Sequence, residues 1–324
     1  MSAPTATPTG ATVDASRTAR TRELLRGADP RRRRTDKTMT VVVSAAFGLA
    51  MVPLVSVVWT VLANGLERLT PYFLTHSMRG VFGGMDAGGI YHAIVGTLEI
   101  TAVAAVLSVP IGLLVAIYLV EYGRGRLARA VTFFVDVMTG IPSIVAGLFA
   151  YAVFALLFGP AYRAGVVGAV ALSVLMIPVV IRSCEEMLRL VPNELREASL
   201  ALGVPRWLTI VKVVLRTSVA GITTGVMLAI ARVIGETAPL LITVGATDSI
   251  NTNPLDGRMM TLPVYVFRQY SSGLVPCNDP AAVCIPTINY DRAWAAALAL
   301  IVIVMLLNLV GRLVNRYFAP KTLS

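Results

Sequence analysis

Arg232, Gly235, Glu236, Thr237 and Pro239 are the most chemically loaded short run in the chain, because the surrounding segment, about Val219 to Val244, is otherwise apolar. Arg232 and Glu236 lie one helical turn apart and can form an ion pair, although Arg before Glu is the weaker i,i+4 order. A guanidinium presents five N–H donors in a fixed fork and so suits an oxyanion. The nearby carboxylate would keep that charge from holding its guest too firmly. The alternative is a structural bridge packed across an internal interface. Gly235 and Pro239 break the segment, and a break in hydrocarbon must be covered by protein or line a cavity.

Two other apolar runs carry polar residues of the same kind. Ile90 to Leu119 contains Glu99, an acid that is expensive in a membrane span unless it faces a cavity or has a donor. It suits a pore entrance or a supporting structural role. Ala130 to Phe158 is interrupted by Thr139-Gly140-Ile141-Pro142-Ser143, which reads either as a pore-lining elbow or as a plain proline kink. The candidate path set is therefore Glu99, Ser143, Arg232, Glu236 and Thr237.

A second candidate site is polar and lies between two apolar runs, from Arg182 to Arg216. Pro192 can open a helix at its first position and Gly203 can end it in the left-handed conformation. The result is about 11 residues, or roughly 16 Å of helix. Leu195, Ala198 and Leu202 share one stripe, expected to seat the helix, while Glu194 and Glu197 lie off it. Such a helix is either a docking element or a plain interfacial connector.

The elements that must position these residues are membrane spans. The chain has 324 residues, 56% of them hydrophobic and 14% charged, and a mean hydropathy of +0.74. That balance belongs to one membrane bundle rather than to two soluble domains. Six apolar runs are expected to span: Met39–Leu62, Ile90–Leu119, Ala130–Phe158, Ala164–Ile181, Val219–Val244 and Ala293–Val310. The first is long enough, at about 24 residues and roughly 36 Å, to be a retained span rather than a cleaved signal. Residues 1–37, basic and rich in Ala, Thr and Pro, are expected to be a disordered tail. Residues 38–310 then form the membrane domain, with 182–216 and 245–292 as its principal loops and 311–324 as a short tail.

The net charge of +10 follows the spans, which argues against a nucleic-acid partner. With both termini in the cytoplasm, 21 of the 28 Lys and Arg residues fall inside, six fall outside, and Arg232 lies within a span. This orientation puts 182–216 in the cytoplasm and 245–292 outside. Cys277 and Cys284 then sit where oxidation is permitted and form a candidate disulfide, the alternative being two unpaired thiols. Cys184 is expected to be inert. His76 and His92 have no convincing cluster of ligating companions, so no metal site is expected.

Glu197-Ala198-Ser199 followed by Gly203 resembles the EAA loop of the membrane-spanning subunits of bacterial ABC importers, and the chain more narrowly resembles their phosphate-permease family. The likeness rests also on Gly88-Gly89-Ile90, Ile94-Val95-Gly96-Thr97-Leu98, Gly140 to Gly147, Arg232 to Leu241 and Thr261-Leu262-Pro263-Val264-Tyr265. It spans the first to the last apolar run. Ser199 replaces the family's second alanine, and Arg216 stands where the family has proline. The resemblance implies an all-α, six-helix importer permease fold with a cytoplasmic coupling helix. It implies a location in the bacterial inner membrane, with half of a phosphate path formed by this chain. Leu195, Glu197, Ala198, Leu202, Gly203 and Arg206 become the ATPase-coupling set. The implied partners are a PstC-like permease, two PstB-like ATPase subunits that use ATP and Mg, and a PstS-like external phosphate-binding protein.

The chain itself carries no Gly-rich phosphate loop with Lys-Ser/Thr, so it is expected neither to hydrolyse ATP nor to bind a cofactor. No Ser–His, Cys–His or multi-acid constellation suggests an enzyme. Two alternatives are a permease for another oxyanion, such as sulfate or molybdate, and a secondary transporter driven by an ion gradient.

Overall fold

The computed structural model describes residues 30–277 and 284–318, and all the regular structure among them is helical. In chain order the helices are α1 (Pro30–Gly65), α2 (Pro71–Thr75), α3 (Tyr91–Ile117), α4 (Gly125–Thr139), α5 (Ser143–Phe158) and α6 (Gly165–Arg189). There follow α7 (Asn193–Ala201), α8 (Arg206–Thr209), α9 (Leu215–Ile234), α10 (Ala238–Thr243), α11 (Leu262–Ser272) and α12 (Ile288–Phe318). Two π-helical turns extend this set: Tyr118–Tyr122 continues α3, and Ile210–Val214 joins α8 to α9.

Contacts divide the chain into two units, 1–60 and 61–324. The first contributes most of α1, which begins earlier than composition suggests. Residues 30–37 are helical, and the hydroxyls of Thr35, Thr38 and Thr40 donate to the carbonyls of Arg31, Arg34 and Asp36 at 3.1, 2.9 and 2.9 Å. The remainder of the expected tail, residues 1–29, lies outside the described residues. The most apolar stretch of α1 is not buried within this chain, as suits a helix surrounded by lipid.

The second unit is built on α6, the most buried of the long helices. Its Ala169, Leu172, Met176 and Val180 are fully covered, chiefly by α3 and α9. Gly221 and Gly225 of α9 form the close-packing face that their spacing suggests. A Cβ at Gly221 would come within 2.7 Å of Met187 Cγ, and one at Gly225 within 2.6 Å of Ser183 Cβ. With so little hydrophobic drive between helices in lipid, such small-residue contact is what holds them together.

Five helices are long and apolar enough to cross a membrane, and α4 with α5 makes a sixth span only if the pair counts as one. The expected third span is thus not a straight helix. Its halves have 15 and 16 residues, roughly 22 and 24 Å, each too short to cross alone. They meet at 107°. This far exceeds a proline kink, because Gly140 and Ile141 leave the helical ladder before Pro142 opens α5. The pair nevertheless traverses the bundle once. Glu121, at the end of α3, bonds to Arg196 just beyond the end of α6, so α3 and α6 run parallel and the chain between them must cross.

The other boundaries shift in ways the backbone explains. The helix of the fourth run continues past Ile181 to Arg189, since Glu185 takes ion pairs from Arg182 at 2.8 Å and Arg189 at 2.6 Å. The fifth run stops at Ile234 rather than Val244, and a separate short helix, α10, follows the break. Arg216 sits in a continuous helix from Arg206 to Ile234, where a proline would remove an N–H. At the other end, α12 runs through the expected final tail to Phe318, and residues 319–324 lie outside the described residues.

One glycine of the elbow segment is sterically fixed and another is not. A Cβ at Gly147 would lie 2.6 Å from Pro239 Cα and 3.0 Å from its carbonyl oxygen, both backbone atoms of α10. At Gly140 the nearest atom, the Val137 carbonyl oxygen, is 3.5 Å away. Gly147→Val is therefore expected to destabilise the chain by about 1–3 kcal/mol through overpacking. Gly140→Ala is expected to stay within about 0.5 kcal/mol of the parent. Thermal unfolding of the detergent-solubilised variants measures both, and equal melting temperatures would contradict the packing assignment.

Candidate functional site

The α4–α5 break and the α9–α10 break face the same cavity, about 180 Å³, beside the midpoint of α6. Met138, Thr139, Ile141 and Ser143 line it from the first break, Arg232 and Glu236 from the second, and Leu175, Pro178 and Val179 from α6. Ser143 is the first residue of α5, so that helix presents its N-terminal end, with its unsatisfied N–H groups and partial positive charge, at the cavity. Three of the five path residues thus meet at one place.

Arg232 and Glu236 do not pair as their spacing suggests. Among the described residues no ion pair joins them. The helix ends at Ile234, Gly235 caps it, and the Glu236 N–H reaches back to the Val233 carbonyl at 3.1 Å. That tightened turn removes the i,i+4 geometry. The guanidinium of Arg232 is left exposed beside the cavity.

The remaining two path residues are elsewhere. Thr237 precedes α10, caps it with no side-chain hydrogen bond, and is not among the residues lining the cavity. Glu99 lies on α3 away from the cavity, half-buried, and its Oε2 is enclosed with no hydrogen-bond partner. The polar residue of α3 with a defined bond is Thr97. Its hydroxyl donates to the Ala93 carbonyl at 2.7 Å and accepts from the Leu262 N–H at 2.8 Å, which ties the start of α11 to α3.

At the Glu121 end, α7 is the short helix expected between Pro192 and Gly203, but it spans Asn193–Ala201. Pro192 is its N-cap with ψ 141°, not its first helical residue. Gly203 takes φ +78°, its N–H bonds to the Leu200 carbonyl at 2.9 Å, and the Val204 N–H bonds to the Ser199 carbonyl at 3.2 Å. That pair of bonds is a Schellman ending, which only glycine adopts readily.

The face that seats α7 is not the expected apolar one. Leu195 is 43% exposed and Leu202 84% exposed, and Ala198 and Glu197 are exposed as well. The helix is held instead by Arg196 and Ser199. Arg196 Nε bonds to Glu121 at 3.0 Å, while its two amino groups reach the carbonyls of Val191 at 2.5 Å and Leu188 at 2.9 Å. Ser199 shares a 2.9 Å hydrogen bond with Thr209. Arg206 donates to the Glu121 carbonyl and lies over the Tyr122 ring, 5.0 Å from its centroid. Polar side chains can saturate the donors and carbonyls crowded at these helix ends, whereas leucines cannot. The apolar stripe is left facing outward.

Sequence patterning missed Glu121, Arg196 and Thr209, since each reads alone as an ordinary polar residue at a span end. Thr209 and Glu121 also adjoin or belong to the two π-helical turns, which no residue pattern announces. At the Arg292 end, Cys277 and Cys284 are joined by a disulfide with Cα atoms 5.8 Å apart. Cys184 is a buried free thiol. Among the described residues, no group of three His, Cys, Asp or Glu side chains could hold a metal ion.

A family profile described as "Binding-protein-dependent transport system inner membrane component" matches residues 108–324, more than half of the chain. The phosphate transport system permease protein PstA 1 of Mycobacterium tuberculosis strain H37Rv is 46% identical over 292 residues, covering 90% of each chain. PstA of Mycobacterium leprae is 45% identical over 302 residues, covering 93% of this chain and 95% of its own. Among solved structures, the MetNI methionine ABC transporter in an inward-facing conformation has a chain similar at a TM-score of 0.54 and 21% identity, covering 72% of this chain and 95% of that one. A bacterial alginate ABC transporter chain is similar at a TM-score of 0.51 and 14% identity, covering 87% and 98%. At these identities the structural likeness speaks to fold alone. The sequence likeness speaks to kinship: the chain belongs to the PstA group of the binding-protein-dependent transport inner-membrane components.

Proposed function

We propose that this permease forms half of the path for inorganic phosphate in an ATP-driven importer and couples that path to a cytoplasmic ATPase. The cargo assignment draws on the phosphate permeases to which nine tenths of the chain is similar. The observation that carries the mechanism is the cavity between two broken helices, where Arg232 and the N-terminal end of α5 converge. Both favour an oxyanion, one by formal charge and forked donors, the other by unsatisfied N–H groups. Glu236 on the same wall opposes tight retention, as a path requires. Phosphate leaves its hydration shell in steps, and each donor replaces part of that shell without trapping the ion.

The outward apolar stripe of α7 is the coupling surface. Burying Leu202 against a partner would contribute roughly 1.5–3 kcal/mol, with Leu195 and Ala198 adding to it and Glu197 giving a charged contact. A PstB-like ATPase pair that hydrolyses ATP with Mg is the partner that fits this surface. A PstC-like permease completes the path, and a PstS-like binding protein delivers phosphate from outside. The termini and the Arg182–Arg216 interval are cytoplasmic, with the disulfide-bearing 245–292 segment external, in keeping with the distribution of basic residues.

The test is uptake of labelled phosphate by proteoliposomes holding the whole complex, with ATP inside and the loaded binding protein outside. Phosphate import that depends on ATP and resists competition from excess sulfate or molybdate is the expected result. Import of sulfate or molybdate at a comparable rate would overturn the cargo assignment, and import without the ATPase subunits would overturn the mechanism.

A further inference from the structure

The Arg292 end of the second unit holds a polar pocket of about 220 Å³ that is separate from the cavity at Arg232. Arg268, Arg292, Tyr265, Gln269 and Asn289 line it, with Asp248 on the same wall. Arg292 and Tyr265 are 2% and 1% exposed, yet each of these two has a buried polar atom with nothing to bond: Arg292 Nε and the Tyr265 hydroxyl. Buried donors without partners are costly, of the order of 1–3 kcal/mol for a neutral group and more for a charged one. Arg292 is held rigidly enough to keep such a donor in place. One of its terminal nitrogens donates to the carbonyls of Met85 and Ala87, both at 2.8 Å.

The chemistry of this lining is that of an anion receiver. It has two guanidinium groups, a phenol and two amides, set against one carboxylate, a formal charge of +1. Burial holds the Tyr265 hydroxyl above the ordinary phenol range, so it remains a neutral donor. A tetrahedral oxyanion, which needs several donors converging from different directions, fits both the volume and the donor set. Asp248 weakens the field and would favour release over retention.

We propose that this pocket is a receiving site for a tetrahedral oxyanion, occupied before the ion reaches the cavity at Arg232. The phosphate identity of that ion, and the pocket's position on the external face, rest on the proposed function. The pocket's selectivity for an oxyanion does not.

Equilibrium binding of radiolabelled inorganic phosphate to the complete complex in nanodiscs, without ATP or binding protein, tests the site. Saturable binding is expected, weakened about tenfold by Tyr265→Phe or Arg268→Gln through loss of one donor, and tightened by Asp248→Asn. Tyr265→Phe and Arg268→Gln keep the buried Arg292 frame, so loss of binding would not report unfolding. Arg79→Gln, at an exposed residue that lines neither cavity, should leave this binding in place. Binding abolished by Arg232→Gln but indifferent to Tyr265 and Arg268 would overturn the proposal, as would no saturable phosphate or sulfate binding at all. If the complex imports sulfate instead of phosphate, the cargo assignment falls alone. The pocket would then bind labelled sulfate with the same dependence on Tyr265, Arg268 and Asp248.

Discussion

Arg232→Ala is expected to lower ATP-driven phosphate import by about tenfold or more at unchanged protein abundance, while leaving ATP hydrolysis by the partner subunits measurable. Arg232 is exposed beside the cavity, so the figure for a hydrogen bond to a charged group applies, about 1.5–3 kcal/mol, which corresponds to roughly 10–100-fold. Arg232 lines the cavity without an ion-pair partner among the described residues, so its donors are free for an anion. Arg232→Lys should recover part of the flux, because it restores the charge but not the fork. Glu236→Gln should act differently, slowing release more than entry, since the carboxylate no longer opposes retention. Uptake by reconstituted proteoliposomes, with abundance fixed by blotting, separates these outcomes. Normal flux in Arg232→Ala would remove Arg232 from the path.

That expectation depends on a feature visible in the sequence and on one that is not. Arg232, Gly235, Glu236 and Pro239 announce a charged and broken span, because Gly and Pro interrupt helices by their backbone chemistry alone. The elbow at Thr139–Ser143 is legible for the same reason. Neither stretch reveals that the two breaks face one cavity, for that is a matter of tertiary packing: Gly147 against Pro239, and α6 beside both. The i,i+4 pairing of Arg232 with Glu236 assumed a helix that in fact ends at Ile234. Glu99 stands out by its cost in hydrocarbon, and cost identifies an unusual residue without identifying the surface it meets.

The short helix α7 teaches the complementary lesson. Its ends are legible, since Pro192 and Gly203 carry backbone constraints, and Gly203 takes φ +78°. Its orientation is not, because periodicity reports that an apolar face exists and leaves open what covers it. Here the chain's own contacts are made by Arg196 and Ser199, and Leu195 and Leu202 are left exposed. On the proposed coupling role, stability within the chain and docking to the ATPase would use opposite faces of this helix.

The anchoring of α7 yields the second large expected effect. Arg196→Met should reduce binding-protein-stimulated ATP hydrolysis to near its basal rate and phosphate import by about tenfold or more. Arg196 is 15% exposed and Glu121 7% exposed at the side chain, so removing the guanidinium strands a largely buried carboxylate. Breaking a buried pair from one side costs about 3–5 kcal/mol. The double variant Arg196→Met with Glu121→Gln should be milder than Arg196→Met alone, because no charge is then left without a partner. Gly203→Pro should match the single variant in severity, since proline can neither take φ +78° nor donate the bond to Leu200. Gly203→Ala, which retains that N–H, should cost only about 1–2 kcal/mol. The geometry explains why these variants would uncouple rather than merely weaken docking. Arg196 grips the π-helical turn at the end of α3, and Ser199 grips Thr209 beside the turn that leads into α9. Force applied to α7 would therefore enter two spans at their widened turns, one packed on α6 and the other carrying Arg232 in its last turn. Stimulated hydrolysis and import measured on the same nanodisc and proteoliposome preparations decide the matter, and full coupling in both Arg196→Met and Gly203→Pro would rule out α7 as the coupling element.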